Sequence, residues 1–179
     1  GKIARSVLID VNGIERPLTW NYAAGRLRAT FDFSGLTFPV TLDPTFNVAA
    51  SLDDTRVIAP STFSATTTVF EAALISNNIR GSQARFLSIT PSQGDTITAA
   101  SLTLIAISDA AATTVNTKLH AENVDDATQV TSYADFTGRT LTTGTAWDAI
   151  PAWTGGVSYE SPDIAAEIQT VVNRAGWVS

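Results

Sequence analysis

Apolar and polar residues alternate with a period of two along most of this chain, which is typical of β-strands with one buried face. Among the first 43 residues the alternation is broken at Asn12-Gly13 and at Ala24-Gly25, two dipeptides that favour tight turns. These breaks predict a four-stranded β-meander in residues 1–43, whose apolar face must pack on other residues or on a neighbouring molecule. The four segments are 6–11, 14–22, 26–33 and 37–42.

A second domain is predicted over residues 44–179, because Pro44 has no N–H to donate and holds Asp43 in an extended conformation. Six further alternating segments follow, separated by turns rich in Ser, Thr, Asn, Gly and Pro. Their spacing is typical of an antiparallel β-sandwich of the jelly-roll-like kind, so the predicted fold class is mainly β. The segments are 46–50, 55–59, 67–74, 84–89, 101–107 and 115–122, and loops with short strands are expected over 125–151.

The stretch 84–108 shows this pattern most clearly. One strand is expected to end in an apolar group before a turn at 91–94, and a second strand follows that turn. Nothing in this stretch has the character of a catalytic motif, so we interpret it as scaffold. Phe86, Leu87 and Ile89 close the first strand, whereas Leu102, Leu104 and Ala106 lie on one face of the second, with Ser101 and Thr103 on the other.

One short helix is predicted over 162–174, near the C-terminal end of the sequence. Ser161 is a favourable N-cap residue, and Pro162 is favourable at the first helical position. Glu167 lies off the apolar stripe of this helix and is expected to face solvent, so its replacement should change stability little. The stripe consists of Ile164, Ile168, Val171 and Val172.

Composition excludes several classes of function. The chain contains neither Cys nor Met, so disulfides and thiolate metal sites are excluded, which suits a protein exposed outside the cell or on a virion. A net charge of −6 argues against nucleic-acid binding, which requires clustered Lys and Arg. The sequence shows neither a signal-peptide pattern nor an apolar run long enough for membrane insertion, and its start at Gly1 suggests a processed product or a piece of a longer chain.

The order of these segments resembles the DNRLRE-type family of secreted β-sandwich modules. The resembling residues are Arg85-Phe86, an I-x-P-x-Q-G-x-x-I pattern over 89–97, residues 100–104, and the stretch from Pro151-Ala152-Trp153 to Trp177. The resemblance covers roughly residues 45–179 and implies fold more than function. It implies a relation to some carbohydrate-binding modules and to modules of bacterial surface proteins and phage structural proteins, in which further strands usually follow the equivalent of Gly176-Trp177.

Catalytic residues are not predicted. His120 is the single histidine, it alternates with polar residues on an exposed strand face, and no serine lies in a nucleophile-elbow sequence. We therefore expect a protein that is not an enzyme. His120, Trp147 and Trp153 are candidate glycan-binding residues, since aromatic faces stack on sugar rings, whereas Trp20 and Trp177 are expected in the core.

Cofactors are not predicted either. Asp125 and Asp126 lie close to Glu122 and Asn123, and carboxylates on a loop are ligands that calcium requires. Adjacent acids in a turn are more often solvated, so Asp125 and Asp126 are weak calcium candidates only.

Two functions remain open from the sequence. The first is a structural subunit of an extracellular filament, surface layer or virion that assembles with copies of itself by strand or sheet packing. In this hypothesis strand 6–11 is an open edge, and Val7, Ile9 and Val11 insert into the adjacent subunit. The alternative is a carbohydrate-binding module whose partner is a polysaccharide.

Overall fold

The protein is mainly β, with several antiparallel sheets and two short helices in the part of the chain that the structure describes. The computed structural model describes residues 6–12, 14–23, 26–38, 40–44, 48, 50, 52–66, 70–75, 78–109 and 114–178. The chain divides into two compact units, Gly1–Asn47 and Val48–Ser179. This boundary lies a few residues beyond the one that Pro44 predicted.

The described part of the first unit contains five strands. Strand β1 is the centre of a three-stranded antiparallel sheet of order β2-β1-β5, and β3 and β4 form a separate hairpin. The strands are β1 Ser6–Asp10, β2 Glu15–Pro17, β3 Thr19–Ala23, β4 Arg26–Thr30 and β5 Val40–Pro44. The predicted turn residues Gly13, Ala24 and Gly25 lie outside the described residues, as does the side chain of Trp20.

The predicted four-stranded meander is wrong, because β5 returns beside β1 and not beside β4. The buried carboxylate of Asp10 explains part of this return. Its Oδ1 accepts the backbone N–H of Asn12 (2.9 Å) and of Ile14 (2.7 Å), and its Oδ2 accepts the N–H of Thr37 (2.9 Å). The Thr37 N–H is the largest cause of the lowered pKa of Asp10, and the contact holds the start of the 37–44 segment against β1.

The predicted open edge at strand 6–11 is also wrong. One edge of β1 pairs with β2, where Ile9 is opposite Glu15, and the other pairs with β5, where Ile9 is opposite Thr41. A strand with both edges paired cannot add to a neighbouring sheet without breaking one of its own ladders. Val11 follows β1 and is exposed, so Val7, Ile9 and Val11 do not form a free inserting strand.

The described part of the second unit contains three antiparallel sheets. The largest is a four-stranded sheet of order β7-β6-β9-β8, and β10 pairs with β13 while β11 pairs with β12. The buried apolar residues in the described part of this unit are Val57, Ala106, Val130, Val171 and Val172. The strands are β6 Asp54–Ile58, β7 Thr62–Ser64, β8 Ala73–Ile75, β9 Asn78–Ala84, β10 Thr103–Ile105, β11 Val115–Leu119, β12 Thr145–Ile150 and β13 Ser158–Glu160.

Three predicted strands, 55–59, 101–107 and 115–122, are confirmed in position. Strand β6 is as long as predicted and begins one residue earlier, whereas β10 and β11 are shorter than predicted. The predicted strand 84–89 is wrong, because β9 ends at Ala84 and residues 85–89 are irregular, with Leu87 exposed. Strand β8 overlaps the end of predicted segment 67–74, whose residues 67–69 lie outside the described residues, and of segment 46–50 only residues 48 and 50 are described.

Two helices are described, α1 Tyr133–Gly138 and α2 Ala165–Val172. Helix α1 was not predicted, although Ser132 and Asp135 form a capping pair in which the Ser132 Oγ accepts the Asp135 N–H at 3.0 Å. Helix α2 begins later than predicted because Ser161 pairs with Leu102 instead of capping the helix. Neither helix has the length and apolar character that a bilayer crossing requires.

Candidate functional site

Three aromatic rings meet beside the β10–β13 ladder. Trp147 from β12 and Trp153 from the following loop have ring centroids 5.9 Å apart. Trp153 stacks on Tyr159 of β13, with centroids 4.4 Å apart and ring planes within 1° of parallel. The Tyr159 hydroxyl accepts the backbone N–H of Thr154 at 2.8 Å, which fixes the loop that carries Trp153.

This aromatic cluster, Trp147, Trp153 and Tyr159, brings together the two tryptophans singled out from the sequence and a tyrosine that the sequence did not place beside them. All three rings are half-buried. Because Trp153 and Tyr159 cover one face of each other, only their outer faces remain for a ligand. The alternating pattern of Ser158, Tyr159 and Glu160 was the signal that could have placed the tyrosine on a strand.

His120 does not join this cluster. Trp147 lies opposite Thr117 in the β11–β12 ladder, whereas Lys118 lies opposite Ala146. Since side chains alternate along a strand, His120, two residues after Lys118, lies on the face away from Trp147. The candidate glycan-binding residues His120 and Trp147 therefore lie on opposite faces of the β11–β12 ladder.

His120 is exposed, as predicted, and its ring is held by the 142–144 segment. Its Nδ1 lies 2.9 Å from the Thr142 carbonyl oxygen. Gly144 has a φ of +86°, and a Cβ at this position would collide with the imidazole. The Thr142 hydroxyl accepts the N–H of Ala121 at 3.0 Å, so this hydroxyl also has a structural role.

Glu167 of α2 reaches the same segment, and the expectation that it faces solvent is wrong. The residue is 7% exposed, and its Oε1 lies 3.4 Å from the Thr145 hydroxyl. Hydrogen bonding by the Thr142 hydroxyl is the main cause of the lowered pKa of Glu167, and the Gly144 N–H and the nearby His120 contribute in the same direction. Glu167 thus links α2 to the 142–145 segment.

Of the two weak calcium candidates, Asp125 is bonded to an arginine and Asp126 is exposed. The Asp125 Oδ1 accepts from the Arg174 Nε at 2.6 Å, and another nitrogen of that guanidinium donates to the Asn123 Oδ1 at 2.9 Å. Arg174 therefore supplies the positive charge that calcium would supply, and Asp126 is exposed. The described residues contain no group of three His, Asp or Glu side chains placed to hold a metal ion.

Among the described side chains of the second unit, Arg139 makes the most hydrogen bonds, and the sequence did not single it out. Its guanidinium donates to both oxygens of Glu122, at 2.8 and 3.0 Å, and to both oxygens of Asp135, at 3.0 and 3.1 Å. It also donates to the carbonyl oxygens of Thr128 (2.9 Å) and Gln129 (3.0 Å). Asp135 raises the pKa of Arg139, and the pKa of Asp135 is lowered in turn, as expected for a structural ion pair.

Apolar side chains, by contrast, are exposed on both units. On the first unit, Phe31 stacks on Phe33 with centroids 5.9 Å apart, and Phe33 stacks on Phe38 at 5.7 Å. We refer to Phe31, Phe33 and Phe38 as the phenylalanine row. On the second unit, Ile105 of β10 and Ile107 just beyond it are 67% and 71% exposed.

Comparison with known proteins adds no relative. No protein-family model, no characterised protein and no solved structure matches this chain. The resemblance to DNRLRE-type modules therefore stays a prediction.

Proposed function

We propose that this protein is a non-enzymatic structural subunit that assembles with copies of itself through strand or sheet packing. One observation supports this most strongly: large apolar side chains are exposed on the loop after β4 in the first unit, and on and just beyond β10 in the second. The phenylalanine row reaches 67% exposure at Phe38, and Ile105 and Ile107 are as exposed. Apolar surfaces of this kind, when contiguous, are typical of sites that bind another protein surface.

The ionisable side chains described at the candidate sites favour the same function. Arg139, Arg174 and Glu167 are each bonded to neighbouring residues of the same chain, and these bonds hold loops and α2 in place. Catalytic groups instead need a polar atom directed at a substrate position. We infer that these side chains stabilise the fold.

We also infer that the ladders of the second unit are arranged as a sandwich, as in DNRLRE-type modules. The burial pattern of β6 supports this, since Thr55 and Val57 are buried while their neighbours are half-exposed. The absence of the oxidisable residues Cys and Met suits an exposed protein of an extracellular filament, a surface layer or a virion.

Sedimentation velocity over a concentration range of about 1 to 200 µM tests this function. A structural subunit should shift to larger species as concentration rises, and electron microscopy should show regular assemblies at the upper end. A chain that sediments as a monomer throughout would contradict the proposal.

Carbohydrate binding is the second candidate, and the aromatic cluster is the observation that favours it. If the outer face of Trp153 stacks on a sugar, a polysaccharide should quench tryptophan fluorescence, and Trp153→Ala should weaken binding by about 1–3 kcal/mol. Trp177→Phe is the control, because the Trp177 indole N–H donates to the Pro91 carbonyl oxygen elsewhere in the unit. A glycan array without a single ligand would remove this candidate.

A further inference from the structure

Strand β10 directs the backbone groups of alternate residues toward β13. Leu104 lies opposite Tyr159, the Leu102 carbonyl oxygen accepts the Ser161 N–H at 3.0 Å, and the Ala106 N–H donates to the Val157 carbonyl oxygen at 3.0 Å. In an antiparallel ladder the intervening residues point their N–H and C=O groups to the opposite side. Those residues are Thr103, Ile105 and Ile107.

The opposite side of β10 is an open edge in the part of the chain that the structure describes. With the other described residues, Thr103, Ile105 and Ile107 make no backbone hydrogen bond on that side, and β13 is the one described strand paired with β10. The same residues form the exposed face of the strand, with Ile105 at 67% and Ile107 at 71% exposure. Unpaired backbone groups beside exposed β-branched side chains are a template for one kind of ligand, an extended strand.

This edge lacks the features by which monomeric proteins protect their sheets. Residues 97–108 contain neither a charged residue nor a proline. The next carboxylate, that of Asp109, accepts the backbone N–H of Gly155 at 2.8 Å. Ile79 on β9 provides a contrast, because it is also 67% exposed but its strand is paired with β6 on one edge and with β8 on the other.

We propose that the open edge of β10 pairs antiparallel with β10 of a second copy, giving a dimer with a continuous four-stranded sheet of order β13-β10-β10-β13. In the register that we propose, Ile105 faces Ile105 of the second copy and Thr103 faces Ile107, so every outward backbone group gains a partner. The uncharged segment is self-complementary, which a two-fold interface requires. This inference rests on the proposed function and names the partner and the contact.

Sedimentation velocity of four chains tests the contact: the parent, Ile105→Lys, Ile105→Pro and Ile79→Lys. Ile105→Lys places a charge in the interface, and Ile105→Pro removes an outward N–H while leaving the β10–β13 bonds of Leu104 and Ala106. Both should weaken association at least tenfold, with the circular dichroism of the parent retained. Ile79→Lys removes an equally exposed isoleucine from a strand without an open edge and should associate like the parent.

Cross-linking provides a test that does not depend on disruptive variants. The parent contains no cysteine, so Ile105→Cys should form a disulfide-linked dimer on mild oxidation, and Ile79→Cys should not. If the parent associates but the Ile105 variants associate equally well, or both cysteine variants cross-link alike, the β10 contact is wrong and the proposed function stands. A parent that stays monomeric would overturn both.

Discussion

At the scale of single residues, Glu167 shows how a polar side chain becomes structural. Its carboxylate is buried at the contact of α2 with the 142–145 segment and is bonded there by the Thr145 hydroxyl. The neighbouring Thr142 hydroxyl and Gly144 N–H favour its charged form. The bonded carboxylate therefore contributes to stability as an anion.

Glu167→Gln should lower the free energy of unfolding by about 1–2 kcal/mol at pH 7, since hydrogen bonds to a charged acceptor are stronger than those to an amide. The pKa of Glu167 in the folded protein is lowered from 4.5, so its contribution is present above that value and is lost as the pH falls through the lower folded pKa. Urea unfolding of both chains between pH 7 and pH 3 measures this. A gap between them that does not shrink in acid would contradict the role of the charge.

At the scale of elements, α2 is held to the second unit by its last turn. Val172 has no exposed surface and Val171 is buried, whereas Thr170 is exposed. Val172→Ala should lower the free energy of unfolding by about 2 kcal/mol through lost burial and a small cavity. Thr170→Ala, the control, should change it by less than about 0.5 kcal/mol, and equal effects of the two in urea unfolding would mean that α2 is not docked.

The elements also show what the sequence could predict. Strands such as β6 and β11 were predicted because their inward and outward residues differ in polarity, and the pairing of β3 with β4 followed from the turn between them. Strand β9 was missed because Asn78–Ala84 contains mostly polar and small residues and is stabilised by ladders on both edges. Such stabilisation comes from distant partners and leaves little local pattern.

The candidate sites were predicted less completely, for the same physical reason. Trp147 and Trp153 were found by residue type and lie together. The burial of Glu167 depends on the 142–145 segment, and the bonds of Arg139 include those to Glu122, which lies 17 residues earlier in the sequence. Residue type alone therefore predicted an exposed side chain for Glu167, which the fold buries.

At the scale of the whole molecule, a two-fold contact through β10 closes on itself and stops at a dimer. A filament or a layer needs a second contact surface, and the phenylalanine row on the first unit has the required apolar character. Two different contacts on the two units would link dimers into an open chain. The charge of −6 per copy would keep such chains apart from one another at low ionic strength.

Phe38→Ser distinguishes the phenylalanine-row contact from the β10 contact. The variant should still form the β10 dimer but should form no larger assemblies, because it removes the most exposed ring of the row. Leu52→Ser, which removes an exposed leucine of the second unit, should assemble like the parent. Light scattering after size-exclusion chromatography distinguishes dimers from larger species, and parent-like assembly of Phe38→Ser would exclude the row as a contact.

The guanidinium of Arg139 has a consequence for local motion. It donates hydrogen bonds to Glu122, Thr128, Gln129 and Asp135. One planar group therefore ties together both ends of the 122–139 segment, which contains α1. If any one of these residues moved away, it would break its hydrogen bond to the guanidinium that also holds the other three. Backbone amides from 123 to 138 should therefore exchange their hydrogens together, in one cooperative opening event, and not fray residue by residue as surface loops commonly do.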